Sequence, residues 1–248
     1  MMELYVLWQR QVKKYFRSRA RMIGALGQPL LFLLALGFGF GPIFAKAGGG
    51  NYLEFITPGI IAMSILFSAT FTGIEVIWDR QFGFLKEMLV APVPRLNIMV
   101  GRTLGGATVS VFQGLIVLII SMIFGFQITN LWLIPIAIIA MFLIAILFTA
   151  LGTALASTMQ DMQAFQLIIN FLLMPLFFLS GALFPLDGLP EPLGIIVKLN
   201  PLTYGVDALR GTLSGASQFG LGFDFLVLFC VGAVFLFIGS YFFSKMQM

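Results

Sequence analysis

Long intervals without a charged residue constrain this chain more than any other feature. A helix rises about 1.5 Å per residue and the hydrocarbon layer of a bilayer is about 30 Å thick, so about 20 apolar residues are enough to cross it. Four charge-free intervals each fit one crossing: Met22 to Ala45, Phe55 to Ile74, Met162 to Leu186 and Phe225 to Ser244. The solvent around most of this chain is therefore lipid.

The interval from Thr103 to Gln160 is too long for one helix and is interrupted by Gln127, Thr129 and Asn130, so it predicts two crossings. Hydrophobic residues make up 60% of the chain and charged residues 10%, whereas soluble domains carry about 25% charged residues. The sequence predicts an all-α, polytopic membrane protein with one domain, residues 1–248, and six transmembrane helices: 22–45, 55–78, 103–126, 131–156, 163–184 and 222–244.

Lysine and arginine concentrate in the N-terminal segment and in the connection between the second and third spans. Because these residues stay on the cytoplasmic side, we expect a protein of the cell membrane with both termini in the cytoplasm. Residues 1–21 predict an amphipathic interfacial helix with Leu4, Leu7 and Tyr15 on its apolar face, and a plain topological anchor is the alternative. A cleaved signal peptide is disfavoured because Met22 to Ala45 is longer than a signal-peptide core.

The connection 79–95 between the second and third spans predicts a short helix. Phe82, Leu85, Met88 and Leu89 recur at helical spacing, and Pro92 then stops the pattern. Such an exposed amphipathic helix has two uses that the residues leave open: it lies on lipid headgroups, or its apolar face inserts into a cytoplasmic partner.

The region 185–214, after the fifth span, predicts two short re-entrant helices. The apolar run Leu193 to Leu199 is too short to cross a bilayer. Asn200 can cap a second segment with Pro201 at its first helical position. Asp207 and Arg210 are three residues apart on that segment, so they can pair.

Two smaller features allow more than one interpretation. Gly37 with Gly41, and Gly101 with Gly105, have the spacing that lets helices approach closely, either within one subunit or between subunits. Glu75, at the inner end of the second span, is better placed for an interfacial ion pair than for a proton relay.

Catalytic chemistry has little support in the sequence. The chain has no histidine and no Gly-Lys dipeptide, so it lacks the phosphate-binding loop that an ATPase of that type needs. We expect no catalytic residues, no metal and no cofactor in this chain, and no nucleic-acid partner. If transport is active, another polypeptide supplies the energy.

Two motifs identify a resemblance. Trp78 to Leu89, followed by Ala91 and Pro92, and the stretch Leu199-Asn200-Pro201-Leu202-Thr203-Tyr204-Gly205-Val206-Asp207-Ala208-Leu209-Arg210-Gly211 resemble the permease subunits of ABC-2 type exporters, which include daunorubicin-type drug-resistance permeases. The resemblance covers essentially the whole chain.

The resemblance implies a membrane subunit driven by a separate ABC ATPase that binds ATP and Mg, with a second permease copy completing a homodimer. It implies that the coupling helix contacts the ATPase through Phe82, Phe84, Leu85, Lys86, Glu87, Met88 and Leu89. It also implies that the outer gate includes Asn200, Pro201, Tyr204, Asp207 and Arg210.

Export of an amphipathic or hydrophobic substrate, such as a drug, toxin or lipid-like molecule, is the expected function. A stand-alone secondary carrier or channel is one alternative, although the two halves of the chain show no convincing internal repeat. A membrane scaffold without transport activity is the other.

Overall fold

The computed structural model of the protein describes residues 2–46, 50–83, 94–186 and 188–244, and these residues form helices without any strand. A short 3-10 helix at Leu131–Leu133 leads into the sixth α-helix. The all-α prediction is confirmed. The helices are α1 Met2–Arg17, α2 Arg19–Lys46, α3 Tyr52–Phe71, α4 Ile74–Gln81, α5 Arg95–Ile123, α6 Ile134–Thr158, α7 Met162–Phe178, α8 Glu191–Leu199, α9 Pro201–Leu213 and α10 Leu221–Ser244.

Five helical segments among the described residues are long and apolar enough to cross a membrane: Met22–Phe44, Tyr52–Gln81, Leu96–Ile123, Leu131–Thr158 and Leu221–Phe243. A multi-pass membrane protein is therefore confirmed. The predicted fifth span corresponds to α7, which has 17 residues and a length of about 26 Å. It ends at Phe178 because the chain turns there, with Gly181 in the left-handed conformation at a φ of 71°.

The helix ends collect at two opposite levels of the bundle. At one level, which we call the inner level, the side chain of Gln81 at the end of α4 donates a hydrogen bond to the carbonyl oxygen of Gln160 over 3.1 Å. At the other level, which we call the outer level, the hydroxyl of Tyr52 at the start of α3 donates a hydrogen bond to the carbonyl oxygen of Leu183 over 3.0 Å. Helix α7 and the turn after it therefore run the same length as α3 and α4, in the opposite direction.

Helix α3 lies at the centre of the bundle, against α2, α5, α6 and α9. In the Tyr52–Gln81 segment, 78% of the most apolar stretch is buried, against 17% for the segments in α2 and α10. Large apolar side chains such as Phe38, Phe229 and Phe237 are exposed on those outer helices. Such faces fit a lipid solvent, which does not penalise exposed apolar surface.

Helix α1 packs along the first half of α5. Leu7 faces Gly101 and Gln11 faces Gly105, where a side chain on either glycine would crowd α1. The indole nitrogen of Trp8 donates to the hydroxyl of Thr108 over 3.0 Å. A helix is present at the N-terminus as predicted, its position at the membrane interface stays a prediction, and the Gly101 and Gly105 pair packs against α1 of the same chain.

Three glycines let the central helices pack closely against one another. A side chain on Gly73, in the break between α3 and α4, would overlap the carbonyl group of Gly152 in α6. A side chain on Gly152 would overlap the carbonyl oxygen of Thr70, and one on Gly106 in α5 would lie 2.7 Å from a methyl group of Thr149. Helices α3, α5 and α6 therefore pack closely at this place, which we call the glycine crossing (Gly73, Gly106 and Gly152).

Candidate functional site

A network of charged side chains joins three helices at the inner level, where α4 ends. One carboxylate oxygen of Asp79 accepts from the guanidinium of Arg10 over 2.9 Å, and the other accepts from the guanidinium of Arg102. One helical turn earlier, Glu75 forms an ion pair with Lys14 over 3.4 Å. The inner charge network (Arg10, Lys14, Glu75, Asp79 and Arg102) therefore ties α1 and α5 to α4.

The charged groups of these pairs are buried, so each needs an oppositely charged or hydrogen-bonding partner. Asp79 is 6% exposed, Glu75 is 4% exposed and Arg102 is 3% exposed. A charge taken out of water is tolerated when it is paired and hydrogen-bonded. The ion-pair interpretation of Glu75 is confirmed by its contact with Lys14.

Arg10 is less buried than Arg102. Desolvation lowers the pKa of Arg10, and the nearby carboxylate of Glu75 acts in the opposite direction. Because a guanidinium loses its proton only at very high pH, Arg10 stays charged and keeps its bond to Asp79.

The predicted contact with the ATPase begins at Phe82, three residues after Asp79. Phe82 is the C-cap of α4, and its ring is 83% exposed. Gly83, with a φ of 76°, ends the helix in the left-handed conformation. Phe84, Leu85, Lys86, Glu87, Met88 and Leu89, the rest of the predicted coupling face, lie outside the described residues.

Asn200 joins three helix ends at the outer level. Its side-chain oxygen accepts from the backbone nitrogen of Leu202 over 3.0 Å, which caps α9, and Pro201 takes the first helical position as predicted. Its side-chain nitrogen donates to the carbonyl oxygens of Leu176 and Leu179 over 2.6 and 3.1 Å. These carbonyls belong to the end of α7, where helical donors run out.

The next two polar side chains of the motif tie α9 to α8. The hydroxyl of Thr203 donates to the carbonyl oxygen of Val197, and that of Tyr204 to the carbonyl oxygen of Lys198, each over 2.7 Å. The ring of Tyr204 also packs against Phe219, with ring centroids 5.3 Å apart. Thr203 was not predicted as a site residue, because its bond reaches six residues back, outside the local spacings of three or four residues that a sequence indicates.

Asp207 and Arg210 have different partners, rather than the pair that their spacing allows. Asp207 accepts from the backbone nitrogens of Gln218 and Phe219 over 2.9 Å each, in the loop that precedes α10. Arg210 donates to the carbonyl oxygen of Gly181 over 2.9 Å. Each side chain therefore satisfies backbone groups of a different loop that lack helical partners.

The guanidinium of Arg210 also lies 4.3 Å from the ring centroid of Phe55 in α3, a cation–π contact. The outer hub (Asn200, Pro201, Thr203, Tyr204, Asp207 and Arg210) thus fastens α9 to the ends of α7 and α8, to α3 and to the start of α10. Residues Leu202 to Leu213 of α9 are all buried.

We predict that Asn200→Ala lowers the free energy of unfolding by about 2–4 kcal/mol, since it removes a helix cap and leaves buried carbonyls without donors. The measurement is thermal unfolding of the purified protein in detergent. Asn130→Ala is the matched control, because exposed Asn130 caps the short 3-10 helix through its bond to Trp132. Equal losses in the two variants would contradict the role of Asn200.

Comparisons with known proteins agree with these motifs. The family model described as ABC-2 type transporter matches residues 2–214. The transport permease ycf38 of Cyanophora paradoxa is 32% identical over 222 residues, which cover 87% of this chain and 75% of that protein. Nodulation protein J of Rhizobium leguminosarum bv. viciae is 28% identical over 214 residues, 84% of this chain and 81% of that protein.

The inner membrane transport permease YadH of Escherichia coli (strain K12) is 27% identical over 241 residues, and the match covers 93% of both chains. Residues 2–214, which the family model matches, include the inner charge network and the outer hub.

Proposed function

The chain belongs to the ABC-2 type transporter family, and we propose that it is the permease subunit of an ATP-driven exporter. The observation that carries this proposal is the family match over residues 2–214, which contains both motifs. Relatives that carry the name transport permease support a transport subunit rather than an enzyme. ATP and Mg bind to a separate ABC ATPase subunit in this proposal.

The proposed topology has six spans, with α7 as the fifth and with both termini in the cytoplasm. The position of α7 supports it, because Gln160 and Leu183 lie at opposite levels of the bundle. Helices α8 and α9 have 9 and 13 residues, too short to cross about 30 Å, and they return to the outer level as re-entrant helices. The apolar outer faces contact the lipid of the cell membrane.

The proposed force path starts in the coupling region 79–95, at the contact residues from Phe82 onward, and enters the bundle through α4. Asp79 lies three residues before Phe82, and it bonds to Arg10 of α1 and Arg102 of α5. A displacement of the coupling segment by the ATPase would therefore move three helices together. The inner charge network supports this coupling because its buried pairs resist separation.

Export follows from a population shift. Nucleotide binds more tightly to one conformation of an assembly of two permease copies and two ATPases, and this difference in affinity drives the change between inward-open and outward-open states. Helix α9 forms the outer gate in this scheme, because the outer hub links it to α3, α7, α8 and α10. The substrate is an amphipathic or hydrophobic molecule.

Coupling can be tested at the inner level. Phe82→Asp and Leu85→Asp each place a charge on the proposed contact, so we expect the protein to insert normally but to retain about tenfold less ATPase on co-purification. Leu131→Asp is the control, because Leu131 is 66% exposed at the outer level. Undiminished ATPase in both inner variants would count against the proposed coupling.

A further inference from the structure

A cavity of about 370 Å³ lies between α1, α2, α3–α4 and α5. Its size falls within the range of small-molecule sites. Seven of the lining side chains carry amide, hydroxyl or carboxyl groups: Gln11, Tyr15, Gln28, Ser68, Thr72, Glu75 and Gln113.

The cavity reaches the middle of the membrane domain. Gln113 lies ten residues before the end of α5 at Ile123, which is about 15 Å along the helix. Polar side chains at this depth are costly unless they pair with protein groups or line a filled cavity. Ser68, Thr72 and Glu75 have protein partners, whereas the side-chain oxygen of Gln113 has none among the described residues.

Pro29 explains why Gln113 is held in one orientation. A proline has no backbone N–H, so the carbonyl oxygen of Ala25, four residues earlier in α2, loses its helical donor. The side-chain nitrogen of Gln113 donates to that oxygen over 2.8 Å. The other end of the amide is consequently the oxygen.

That oxygen is an unused acceptor. Gln113 is 2% exposed, and its side-chain oxygen has no hydrogen-bond partner among the described residues. A buried acceptor without a donor costs about 1–3 kcal/mol. The oxygen has almost no accessible surface, so a hydroxyl or amide donor on a ligand reaches it, and removes this penalty, only after the side chain shifts.

The charges of the wall favour an uncharged head group. Glu75 is the carboxylate in the lining, and it is paired with Lys14 over 3.4 Å. The other polar groups of the lining are amides and hydroxyls, and Phe67, Phe71 and Val109 supply an apolar surface beside them. An amphiphile with a neutral head and a hydrocarbon chain matches both parts.

The cavity opens beside α2. Gly24 and Gln28 belong to its lining and are exposed, so a ligand can enter from the lipid side. A side chain on Gly24 would meet no atom within 4 Å, and the same holds for Gly27, one turn away and outside the lining. This pair provides a blocking variant and its control.

We propose that this cavity binds the uncharged, hydroxyl- or amide-bearing head group of an amphiphile that enters beside α2. The head group donates to Gln113, and the start of its chain packs against Phe67, Phe71 and Val109. As a substrate site this inference rests on the proposed export function, but its test measures binding alone and needs no ATPase. Either proposal can therefore fail without the other.

The probe is decyl glucoside with a photoactivatable diazirine in its chain, added to the full chain in phosphatidylcholine nanodiscs. We expect saturable crosslinking to residues of the cavity, measured by mass spectrometry, and competition by unlabelled decyl glucoside. Gly24→Phe should reduce the crosslinking about tenfold, while Gly27→Phe should retain it.

Three results would overturn the proposal. The first is crosslinking of the cavity that excess decyl glucoside does not reduce, a test that needs no variant. The second is equal crosslinking in wild type and in a correctly inserted Gly24→Phe variant. The third is equal crosslinking by a phosphocholine-headed probe with the same chain, since that would show partition of the chain without recognition of a neutral head.

Discussion

Asp79→Ala is expected to cost the protein about 3–5 kcal/mol of folding free energy, the usual penalty for breaking a buried ion pair. Asp79 is the shared partner of Arg10 and Arg102. Arg102 is 3% exposed, and two of its nitrogens already lack a partner among the described residues. Without Asp79 its charge would remain buried without a direct ion-pair partner. Thermal unfolding in detergent and the yield of monodisperse protein measure this loss.

Two further variants separate the pair from a general effect of removing a carboxylate. Asp161→Ala removes an exposed N-cap of α7 and should cost about 1 kcal/mol. Arg102→Met in the Asp79→Ala background should recover much of the stability, because a hydrophobic side chain replaces the unpaired charge. An Asp79→Ala variant as stable as Asp161→Ala would refute the inner charge network.

Gly152→Val is expected to destabilise the bundle by about 3 kcal/mol or more, the upper range for overpacking. A side chain on Gly152 meets the backbone of Thr70, and backbone atoms cannot change rotamer to make room. The glycine crossing would have to open, which separates α3 from α6. Thermal unfolding and resistance to proteolysis in detergent measure the change.

Gly39→Val is the control for this substitution. Gly39 lies inside α2 and a side chain there meets no atom within 4 Å, so it carries the same loss of backbone freedom and the same β-branched side chain without the clash. It should change stability by less than about 1 kcal/mol. Similar losses in Gly39→Val and Gly152→Val would mean that the crossing is looser than the structure has it.

Features with a local cause were predictable from the sequence. The apolar runs predicted the long helices because their length and composition match a bilayer. Asn200 followed by Pro201 predicted the start of α9, since a cap and a first-turn proline act within a few residues. The end of α7 was placed too late, because a charge-free run does not show where a helix stops, and Gly181 was the available signal.

Features that depend on distant parts of the chain were not predictable. Arg10 and Asp79 are 69 residues apart, so their charges indicated topology rather than a contact. Gly152 stands alone in an apolar run, and its partners in α3 follow from the packing. Gln113 carries no charge, so the distribution of charged residues gives no indication of its role. Its side chain supplies the hydrogen bond that the carbonyl oxygen of Ala25 loses to Pro29 in another helix.

The proposed function depends on one claim, that this chain transports only when a separate ATPase drives it. The decisive measurement is transport of a fluorescent amphiphile in proteoliposomes that contain the chain alone or together with the ATPase that co-purifies with it. We predict ATP-dependent accumulation against the gradient with both subunits and no comparable flux with the chain alone. Rapid downhill flux through the chain alone, unchanged by nucleotide, would contradict the claim.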